Sequence, residues 1–405
     1  MKNDVTGNAK ADIGMRNIIF LGLVSFFADI SSEMVYPLIP VYLTVTFGAT
    51  PALVGVIEGI AESMASLLKV FSGYISDKYK HKKALAFVGY STGVVYKLGL
   101  LLATSWVGVL GARVIDRLGK GIRTAPRDVM IAESAGTDQM GKAFGVHKAL
   151  DMAGASIGIL LAFFLLKIAG DSGYRLIFIF SLIPAVLSLL MFYFIQEEID
   201  SQKLKPRERF WEKIGQLDGD LKRYLMVTFL FALGNSSNTF LLLRAAHLGY
   251  SSADTILLYF AYSTTASIGA IPLGNLSDKI ERKYLLVAGY VIFAMVYLGF
   301  AFATSKITIA MVFLLYGIYT AMTAGVERAF IAEIAPIALK GTMLGLQSTL
   351  VGIALFPASV IAGYLWDGVN ASAPFVFGAV LALMAALLLA FGLKKKTVKP
   401  ISDNQ

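Results

Sequence analysis

The densest group of charged side chains in this chain lies in the stretch DRLGKGIRTAPRD, residues 116–128. It holds six ionisable residues in thirteen positions, although only 16% of the chain is charged. Its Gly-Lys-Gly step could cradle a phosphate, but a P-loop needs a glycine five residues before the Gly-Lys pair and a Ser or Thr after it. Val114 and Gly121 occupy those two positions. The stretch is therefore not a P-loop, and its charged residues need another explanation.

Charged residues of this region recur every three or four positions and share one helix face: Arg113, Asp116, Lys120, Arg123 and Arg127. Elsewhere, two pairs of carboxylates four residues apart could oppose them, Asp29 with Glu33 and Glu58 with Glu62. Burial and like-charge neighbours favour the neutral form of a carboxyl group, so one or more of the four could take up and release a proton. The alternative is that they only neutralise the basic face in static pairs.

The composition indicates the class of structure in which these charged residues lie. Of the 405 residues, 57% are hydrophobic, and the mean hydropathy of +0.69 lies far outside the range of soluble proteins. Apolar runs of about twenty residues, the length that spans a bilayer, recur along the chain. Cysteine is absent, which excludes disulfides, thiolate metal sites and cysteine nucleophiles. The sequence therefore predicts an all-α membrane protein.

The apolar runs predict twelve transmembrane helices, numbered here span 1 to span 12. They cover roughly 17–45, 52–76, 84–104, 106–132, 141–168, 174–196, 222–247, 252–276, 284–304, 306–333, 341–366 and 373–393. Lys and Arg gather in alternate connections, so the positive-inside rule predicts that these and both termini lie on the cytoplasmic side of the inner membrane. Residues 1–16 and 394–405 are expected to be cytoplasmic tails, and 1–16 lack the features of a signal peptide.

The chain repeats itself at an offset of about 200 residues. GYISDKYKHKKALAFVGY, from Gly73, matches GNLSDKIERKYLLVAGY, from Gly274, and IAE ends at both Glu133 and Glu333. Such internal symmetry is typical of transporters in which two bundles enclose a solute path. We expect an N-terminal bundle at 17–196, a cytoplasmic linker at 197–221 and a C-terminal bundle at 222–393.

Twelve spans with both termini inside, and a Gly-x-x-x-Asp-Lys motif after spans 2 and 8, resemble the major facilitator superfamily. The resemblance implies two pseudo-symmetric six-helix bundles. It also implies that the motif glycine allows close helix approach and that the aspartate latches one conformation at a cytoplasmic gate. The expected gate consists of Gly73, Asp77, Lys78, Arg123, Arg127, Asp128, Gly274, Asp278 and Lys279. More narrowly, SFFADISSEMVYPL and DRLGKGIRTAPRD are similar to a bacterial group of permeases, some associated with nickel or cobalt resistance.

Charges at membrane depth cost about 2.5 to 3.5 kcal/mol each, so the stripe on span 4 must face a watery cavity or counter-charges. Pro126 is expected to kink or end this helix near the cytoplasmic surface. The predicted substrate cavity is lined by Arg113, Asp116, Arg117, Lys120, Asn235, Asn238, Arg244, Tyr316, Tyr319 and Glu327. The tyrosines could instead serve only packing. Because Asn238 matches Glu33 in the repeat, only the first half is expected to be built for protonation.

Span 5 carries part of a glycine motif that resembles the exporter motif of drug/proton antiporters. Gly145, Gly154 and Gly158 have its spacing, but Ile159 replaces the expected proline. The motif favours efflux, and ordinary helix packing would use the same glycines. His147 and Asp151 lie four residues apart on the same span and form either a proton relay or a structural pair.

These patterns favour a secondary transporter, a proton-coupled exporter of a drug-like compound or metal cation. Its expected coupling residues are Asp29, Glu33, Glu58, Glu62, His147 and Asp151. The alternative is uptake or exchange of an organic anion held by the basic face of span 4. HExxH is missing, and we expect neither an enzyme nor a cofactor nor a resident metal. The net charge of +9 is best explained by anionic lipid at the cytoplasmic loops rather than by nucleic acid, and we expect a monomer.

Overall fold

The computed structural model describes residues 2–78, 82–135, 140–170, 173–197, 219–277, 279–335 and 340–392. Within these ranges all regular structure is helical. Most of the linker predicted at 197–221 lies outside the described residues, and the C-terminal bundle begins with a helix at Gly219.

The helices follow the predicted order of twelve spans. Span 1 consists of Lys2–Glu33, a 3-10 turn at Tyr36–Leu38 and Ile39–Phe47. Spans 2 to 6 are Pro51–Lys78, Lys82–Leu102, Trp106–Ala135, Met140–Ala169 and Tyr174–Met191, the last extended by the 3-10 turn Phe192–Phe194. Span 7 consists of Gly219–Gly234 and Thr239–His247, and spans 8 and 9 are Ser252–Ser277 and Arg282–Phe302. Span 10 consists of Lys306–Thr323 and Val326–Ile334, and spans 11 and 12 are Lys340–Gly368 and Ala373–Gly392.

Eleven of these spans, as far as the structure describes them, are long and apolar enough to cross a membrane. Span 4 is the exception in composition but not in length, since it is a continuous helix of 30 residues that carries the charged stripe. Its charged face is turned into the bundle, which is how such a helix can lie among eleven apolar ones. Pro126, expected to kink or end the helix, lies inside span 4 and does not end it, because the helix continues to Ala135.

Three spans are broken where the sequence predicted continuous helices. Pro37 and Pro40 lack the amide hydrogen that a continuous span 1 would need, and a 3-10 turn replaces the α-helix there. In span 7 the break covers residues 235–238, whose Asn and Ser side chains compete with helical hydrogen bonds. The break in span 10 falls at Gly325. At the N-terminus the helix extends back to Lys2, through residues expected to be a tail.

The two bundles repeat each other's contacts at the predicted offset. Gly89 of span 3 packs against Arg123 of span 4, and Gly289 of span 9 packs against Thr323 of span 10. Lys82 and Glu133 form an ion pair at the ends of spans 3 and 4, and Arg282 and Glu333 form its counterpart at 2.7 Å in spans 9 and 10. The repeat in the sequence therefore corresponds to a repeat in packing.

The bundles meet along spans 2 and 11, which approach so closely that only small residues fit. A Cβ at Gly55 would collide with the carbonyl oxygen of Ser359, and one at Gly59 would lie 3.1 Å from the carbonyl oxygen of Phe356. The hydroxyl of Ser63 donates to the carbonyl oxygen of Gly352 at 2.7 Å. These contacts join the halves along a large part of both helices.

Further contacts join the halves at the end that carries the predicted extracellular loops, called here the outer end. The hydroxyls of Tyr174 and Ser252 are 3.2 Å apart, and both residues are buried. The Oδ2 atom of Asp367 accepts from the backbone amide of Ala52 at 3.0 Å. The structure is therefore closed at its outer end by contacts between the two bundles.

Candidate functional site

The charged stripe of span 4 lies against spans 1, 2 and 3, and glycines allow this close packing. A side chain at Gly119 would collide with Thr92 and with the carbonyl oxygen of Gly89 in span 3. One at Gly121 would lie 2.5 Å from Cβ of Leu68 in span 2. Span 4 is thus held inside the N-terminal bundle with its charged face toward a cavity.

At its outer end the stripe is neutralised by a buried ion pair. Arg113 donates through Nε to Oε1 of Glu58 at 3.0 Å and through Nη2 to Oε2 at 2.5 Å. The side chains are 1% and 0% exposed. Such a two-bond pair satisfies both charges, so this geometry favours a static role for Glu58 over a proton-coupling one.

One turn further along, the pairing is looser. Nη2 of Arg117 lies 3.1 Å from Oε1 of Glu62, and Nε lies 3.8 Å from Oδ2 of Asp116. The ring of Tyr36 lies 5.5 Å from the Arg117 guanidinium and 5.3 Å from that of Arg113. Glu62 and Asp116 remain partly open to the cavity.

Two cations in the middle of the stripe have no close anion. Within the described part of the chain, neither Lys120 nor Arg123 has a carboxylate within the 4.0 Å of an ion pair. The Arg123 guanidinium instead lies 4.1 Å from the ring centroid of Tyr90. Both line a cavity of about 190 Å³ with Ser32, Glu33, Tyr36, Glu62, Tyr96, Arg113, Asp116, Arg117 and Tyr259.

Glu33 lies on the opposite wall of this cavity, at the break of span 1. Its Oε2 atom is buried and has no hydrogen-bond partner among the described residues. Lys120 and Arg117 are the cations that act on it most strongly, and the hydroxyl of Tyr259, from the C-terminal half, faces its carboxylate. Glu33 is therefore the carboxylate best placed to respond to what occupies the cavity.

Below Glu33, spans 1 and 5 are linked by two polar contacts. The carboxyl groups of Asp29 and Asp151 face each other, and Oδ2 of Asp151 also lies 3.6 Å from Nζ of Lys148. One turn away, Oγ of Ser25 lies 2.8 Å from Nε2 of His147 and 2.9 Å from the hydroxyl of Tyr90. His147 and Asp151 thus contact span 1 rather than each other.

Arg127 and Asp128 lie at the other end of the stripe, beside this network. The guanidinium of Arg127 donates to Oδ1 of Asp128 through Nε at 2.9 Å and Nη2 at 2.8 Å. Its Nη1 reaches Oγ of Ser25 at 3.4 Å. This pair therefore connects the polar network to the end of span 4.

A second cavity, of about 280 Å³, lies in the C-terminal half. Its lining contains Thr228, Phe231, Ala232, Asn235, Asn238, Tyr262, Tyr316, Tyr319, Thr320, Thr323, Ala324, Glu327, Val351 and Leu355. The hydroxyl of Tyr316 donates to Oδ1 of Asn238 at 2.8 Å, and Nδ2 of Asn235 donates to the hydroxyl of Tyr319 at 3.4 Å. The broken part of span 7 and one face of span 10 therefore form a polar, aromatic wall.

Arg244, predicted to line this cavity, does not reach it. It is buried at the outer end, where Nε donates to the carbonyl oxygen of Phe300 at 2.9 Å and Nη2 to that of Ala301 at 3.0 Å. These carbonyls lie in the last turn of span 9, where a helix leaves acceptors unpaired. The prediction that Arg244 lines the cavity is wrong, because its guanidinium binds carbonyl oxygens at the end of span 9.

A family model described as Major Facilitator Superfamily matches residues 21–236 and 224–405, which together cover nearly the whole chain. The chain belongs to the major facilitator superfamily. Its members are membrane transporters, so this protein is a transporter and not an enzyme. The two overlapping matches agree with the two bundles of the fold.

Relatives in the superfamily carry different substrate names. An uncharacterized transporter of this type from Methanocaldococcus jannaschii is 37% identical over 382 residues, 93% of this chain and 94% of the relative. A gentisate transporter from Corynebacterium glutamicum is 26% identical, covering 88% and 83% of the two chains. A multi-drug resistance efflux pump homologue from Lactococcus lactis is 24% identical, covering 79% and 81%.

The fold agrees with that of solved superfamily transporters. The crystal structure of a nucleoside transporter, in a variant form, superposes with a TM-score of 0.79 over 93% of this chain and 100% of the other, at 12% identity. At that identity the likeness concerns the fold alone.

The glycines that resemble the antiporter motif of the superfamily have a packing role in two cases. Side chains at Gly154 and Gly158 would collide with the carbonyl oxygens of Phe26 and Ile30 in span 1. A Cβ at Gly145 would meet nothing within 4 Å among the described residues. The contact with span 1 therefore explains Gly154 and Gly158 without reference to transport direction, and it does not explain Gly145.

The gate motif of the superfamily lies largely outside what the structure describes. Asp278 is outside the described residues, and Gly73, Asp77 and Lys78 are described only as part of the span 2 helix. Lys279 is exposed. At Gly274 a Cβ would meet no atom of the described residues within 4 Å, and the close approach expected there stays a prediction.

Several residues of this transporter site were not found from the sequence. Tyr36 lies beneath two arginines, Tyr259 brings the C-terminal half to Glu33, and Lys97 is 1% exposed beside Tyr96. The repeat contains a signal for Tyr259, because it is the counterpart of Glu58 at the offset between spans 2 and 8. Tyr36 and Lys97 lie in apolar stretches that suggest only packing.

Proposed function

We propose that this transporter carries a small organic anion together with protons, and that the anion binds between the stripe of span 4 and the aromatic wall of the C-terminal half. The observation that carries the proposal is the pair of cavity-facing cations, Lys120 and Arg123, that have no carboxylate within ion-pair distance in the described residues. A cation at membrane depth is costly without a counter-charge, so an anion that enters the cavity supplies the negative charge that these two cations lack.

The opposite wall suits the remainder of such a solute. The amides of Asn235 and Asn238 and the hydroxyls of Tyr316 and Tyr319 offer hydrogen bonds, and the tyrosine rings offer flat apolar surface. A planar acid with polar substituents would use both. The similarity to a gentisate transporter supports this class of substrate.

The charge arrangement also favours a particular sign of coupling. When Glu33 is ionised, it competes with the substrate for Lys120, and when it is protonated this competition ends. Protonation therefore strengthens binding of an anion, and by linkage a bound anion strengthens protonation. Proton and anion then move together, as in symport.

A proton route is available beside the cavity. Ser25, Asp29 and Glu33 lie four residues apart on span 1, and the first two contact His147 and Asp151 of span 5. We infer that a proton taken up at Glu33 passes along this face toward the cytoplasm, separately from the anion. The basic loops support cytoplasmic termini, an inner-membrane location and contacts with anionic lipid, and we propose a monomer.

The test is counterflow of labelled gentisate in liposomes that contain the full chain. Lys120→Gln removes a charged contact worth about 1.5 to 3 kcal/mol, so the apparent affinity is expected to fall on the order of tenfold or more. Lys167→Gln, an exposed lysine of span 5, is the matched control and should change nothing. Glu33→Gln should keep exchange but lose the increase in affinity on acidification. An unchanged affinity in Lys120→Gln would contradict the proposal.

The second candidate is proton-coupled export of a drug-like cation. The similarity to an efflux pump homologue favours it, as do the carboxylates of the N-terminal cavity. Acidification should then weaken binding of tetraphenylphosphonium, because protons and a cation compete for the same carboxylates, whereas it should strengthen gentisate binding under the first proposal. For a metal cation as cargo there is less support, since no cluster of three His, Cys, Asp or Glu in the described residues could hold one.

A further inference from the structure

The C-terminal cavity contains one acidic side chain in otherwise neutral surroundings. Glu327 contributes to a lining that includes tyrosines, threonines and two asparagines but no Lys, Arg or His. Within the described part of the chain, its carboxylate takes part in no ion pair within 4.0 Å. This differs from the N-terminal cavity, where each acid faces several cations.

The contacts of Glu327 come from hydroxyl groups. The hydroxyl of Tyr290 in span 9 donates to its Oε1 at 3.2 Å, and that of Tyr224 in span 7 donates to its backbone oxygen at 3.3 Å. The ionisable groups that face the carboxylate are Tyr224, Tyr290, Tyr319 and the guanidinium of Arg328. The side chain of Arg328 is exposed, so it acts on Glu327 only from outside the cavity.

The repeat places Glu327 at the position of Arg127 in the N-terminal half, and Tyr290 at the position of Tyr90. In the N-terminal half this position holds a permanent cation, which Asp128 neutralises at 2.8 Å. In the C-terminal half both charges are inverted, and Arg328, at the position of Asp128, makes no ion pair with Glu327 within 4.0 Å among the described contacts. At this position the N-terminal half thus has a close ion pair, whereas the C-terminal half has a carboxylate with no cation at ion-pair distance among the described residues.

We propose that Glu327 is a proton-binding site of the C-terminal half, distinct from the carboxylates of spans 1 and 5. An isolated carboxylate in a membrane cavity is costly, and a proton is the smallest cation that relieves this cost. The Tyr290 hydroxyl suits both forms, since it can donate to a carboxylate and accept from a carboxylic acid. The proposal differs from the expectation that only the first half is built for protonation.

The inference deepens the proposed function, on which its transport consequence rests. An anion whose tail fills the C-terminal cavity would exclude water from Glu327 and would be repelled by its ionised form. Protonation of Glu327 and occupation of the cavity therefore favour each other. The transporter would move one proton through each half for each anion carried.

The first test needs no substrate. Infrared difference spectra of the purified full chain, recorded between acidic and alkaline pH, should contain a protonated-carboxyl signal that Glu327→Gln removes. Glu333→Gln, in the same span but in an exposed ion pair, should keep the signal and serves as the matched control. Identical spectra for wild type and Glu327→Gln would overturn the proposal. The proposal would also be overturned if the Glu327 carboxylate stayed ionised between acidic and alkaline pH and bound tetramethylammonium.

The second test measures transport in liposomes. In Glu327→Gln the number of protons taken up per gentisate transported should fall by one, whatever the transport rate that remains, and Glu333→Gln should keep the wild-type ratio. A wild-type ratio in Glu327→Gln would contradict the coupling role. If gentisate is not transported at all, the proposed substrate class fails, while the infrared result still decides whether Glu327 binds a proton.

Discussion

In span 4 the cavity side holds Arg113, Asp116 and Lys120, whereas the equivalent positions of span 10 hold Phe313, Tyr316 and Thr320. Span 3 packs against span 4 as span 9 packs against span 10, because Gly89 and Gly289 allow the same close approach at matching positions. One half therefore fills the shared framework with ionic groups and the other fills it with aromatic ones. The comparison teaches that this fold fixes where side chains meet and leaves their chemistry open.

The two halves also differ in what holds their centres together. In the N-terminal half, Arg113 and Glu58 form a fully buried ion pair. In the C-terminal half, Phe231 and Tyr290 stack at 3.9 Å between centroids, and Phe293 and Tyr297 lie 4.0 Å apart. Ionic groups can respond to protons and charged solutes, while aromatic packing supplies a rigid wall. The division suits a transporter in which the N-terminal half holds most of the charged groups and the aromatic groups of the C-terminal half shape the cavity around Glu327.

The largest effect is expected from breaking the ion pair that distinguishes the N-terminal half. Arg113→Met leaves Glu58 buried and unpaired, which should cost about 3 to 5 kcal/mol of folding free energy. The measurement is thermal unfolding of the purified protein in detergent. The double variant Arg113→Met with Glu58→Met removes both charges, as the C-terminal half does with Phe313 and Tyr259, and should recover most of the loss. A single variant as stable as wild type would show that the pair contributes nothing.

A smaller effect is expected from the contact of spans 1 and 5. Gly154→Ala puts a methyl group against the carbonyl oxygen of Phe26 and should cost about 1 to 3 kcal/mol. Gly145→Ala, in open space on the same helix, should be neutral or stabilise the helix slightly. The C-terminal half already has buried alanines, Ala354 and Ala358, at the positions equivalent to Gly154 and Gly158. Equal unfolding temperatures for the two variants would argue against a close-packing role.

The smallest effect is expected where the halves are most alike. Glu133→Gln and Glu333→Gln each remove one partner of an ion pair whose glutamate is largely exposed, with Lys82 and Arg282 respectively. Exposed pairs contribute about 1 kcal/mol or less, so both variants should shift the unfolding temperature little and by similar amounts. Thermal unfolding at low and high salt checks this, because salt should reduce even that small difference. A large effect in one half alone would show that the two ion pairs match in geometry but differ in their contribution to stability.

The fold could be predicted from hydropathy and the repeat, because each span must satisfy its backbone hydrogen bonds internally to cross a bilayer. The breaks in spans 1, 7 and 10 could not, because whether Pro37, Asn235 or Gly325 interrupts a helix depends on what its neighbours supply. Much of the lining of the N-terminal cavity could be predicted, because charged side chains at membrane depth are costly unless they face water or opposite charges. Which charges are paired could not, since Glu58 and Glu62 have the same type and spacing but differ in burial.

By itself, the amino-acid sequence determined the class of protein, the number and order of the spans and the existence of one charged helix face. Those properties follow from local hydropathy and helical period, which need no knowledge of neighbours. Only the tertiary structure decided that Arg113 is neutralised while Lys120 and Arg123 face the cavity, that Arg244 serves a helix end and that Glu327 lies among tyrosines. The reason is that the state of a charge depends on the groups within a few ångströms of it, and those groups come from distant parts of the chain.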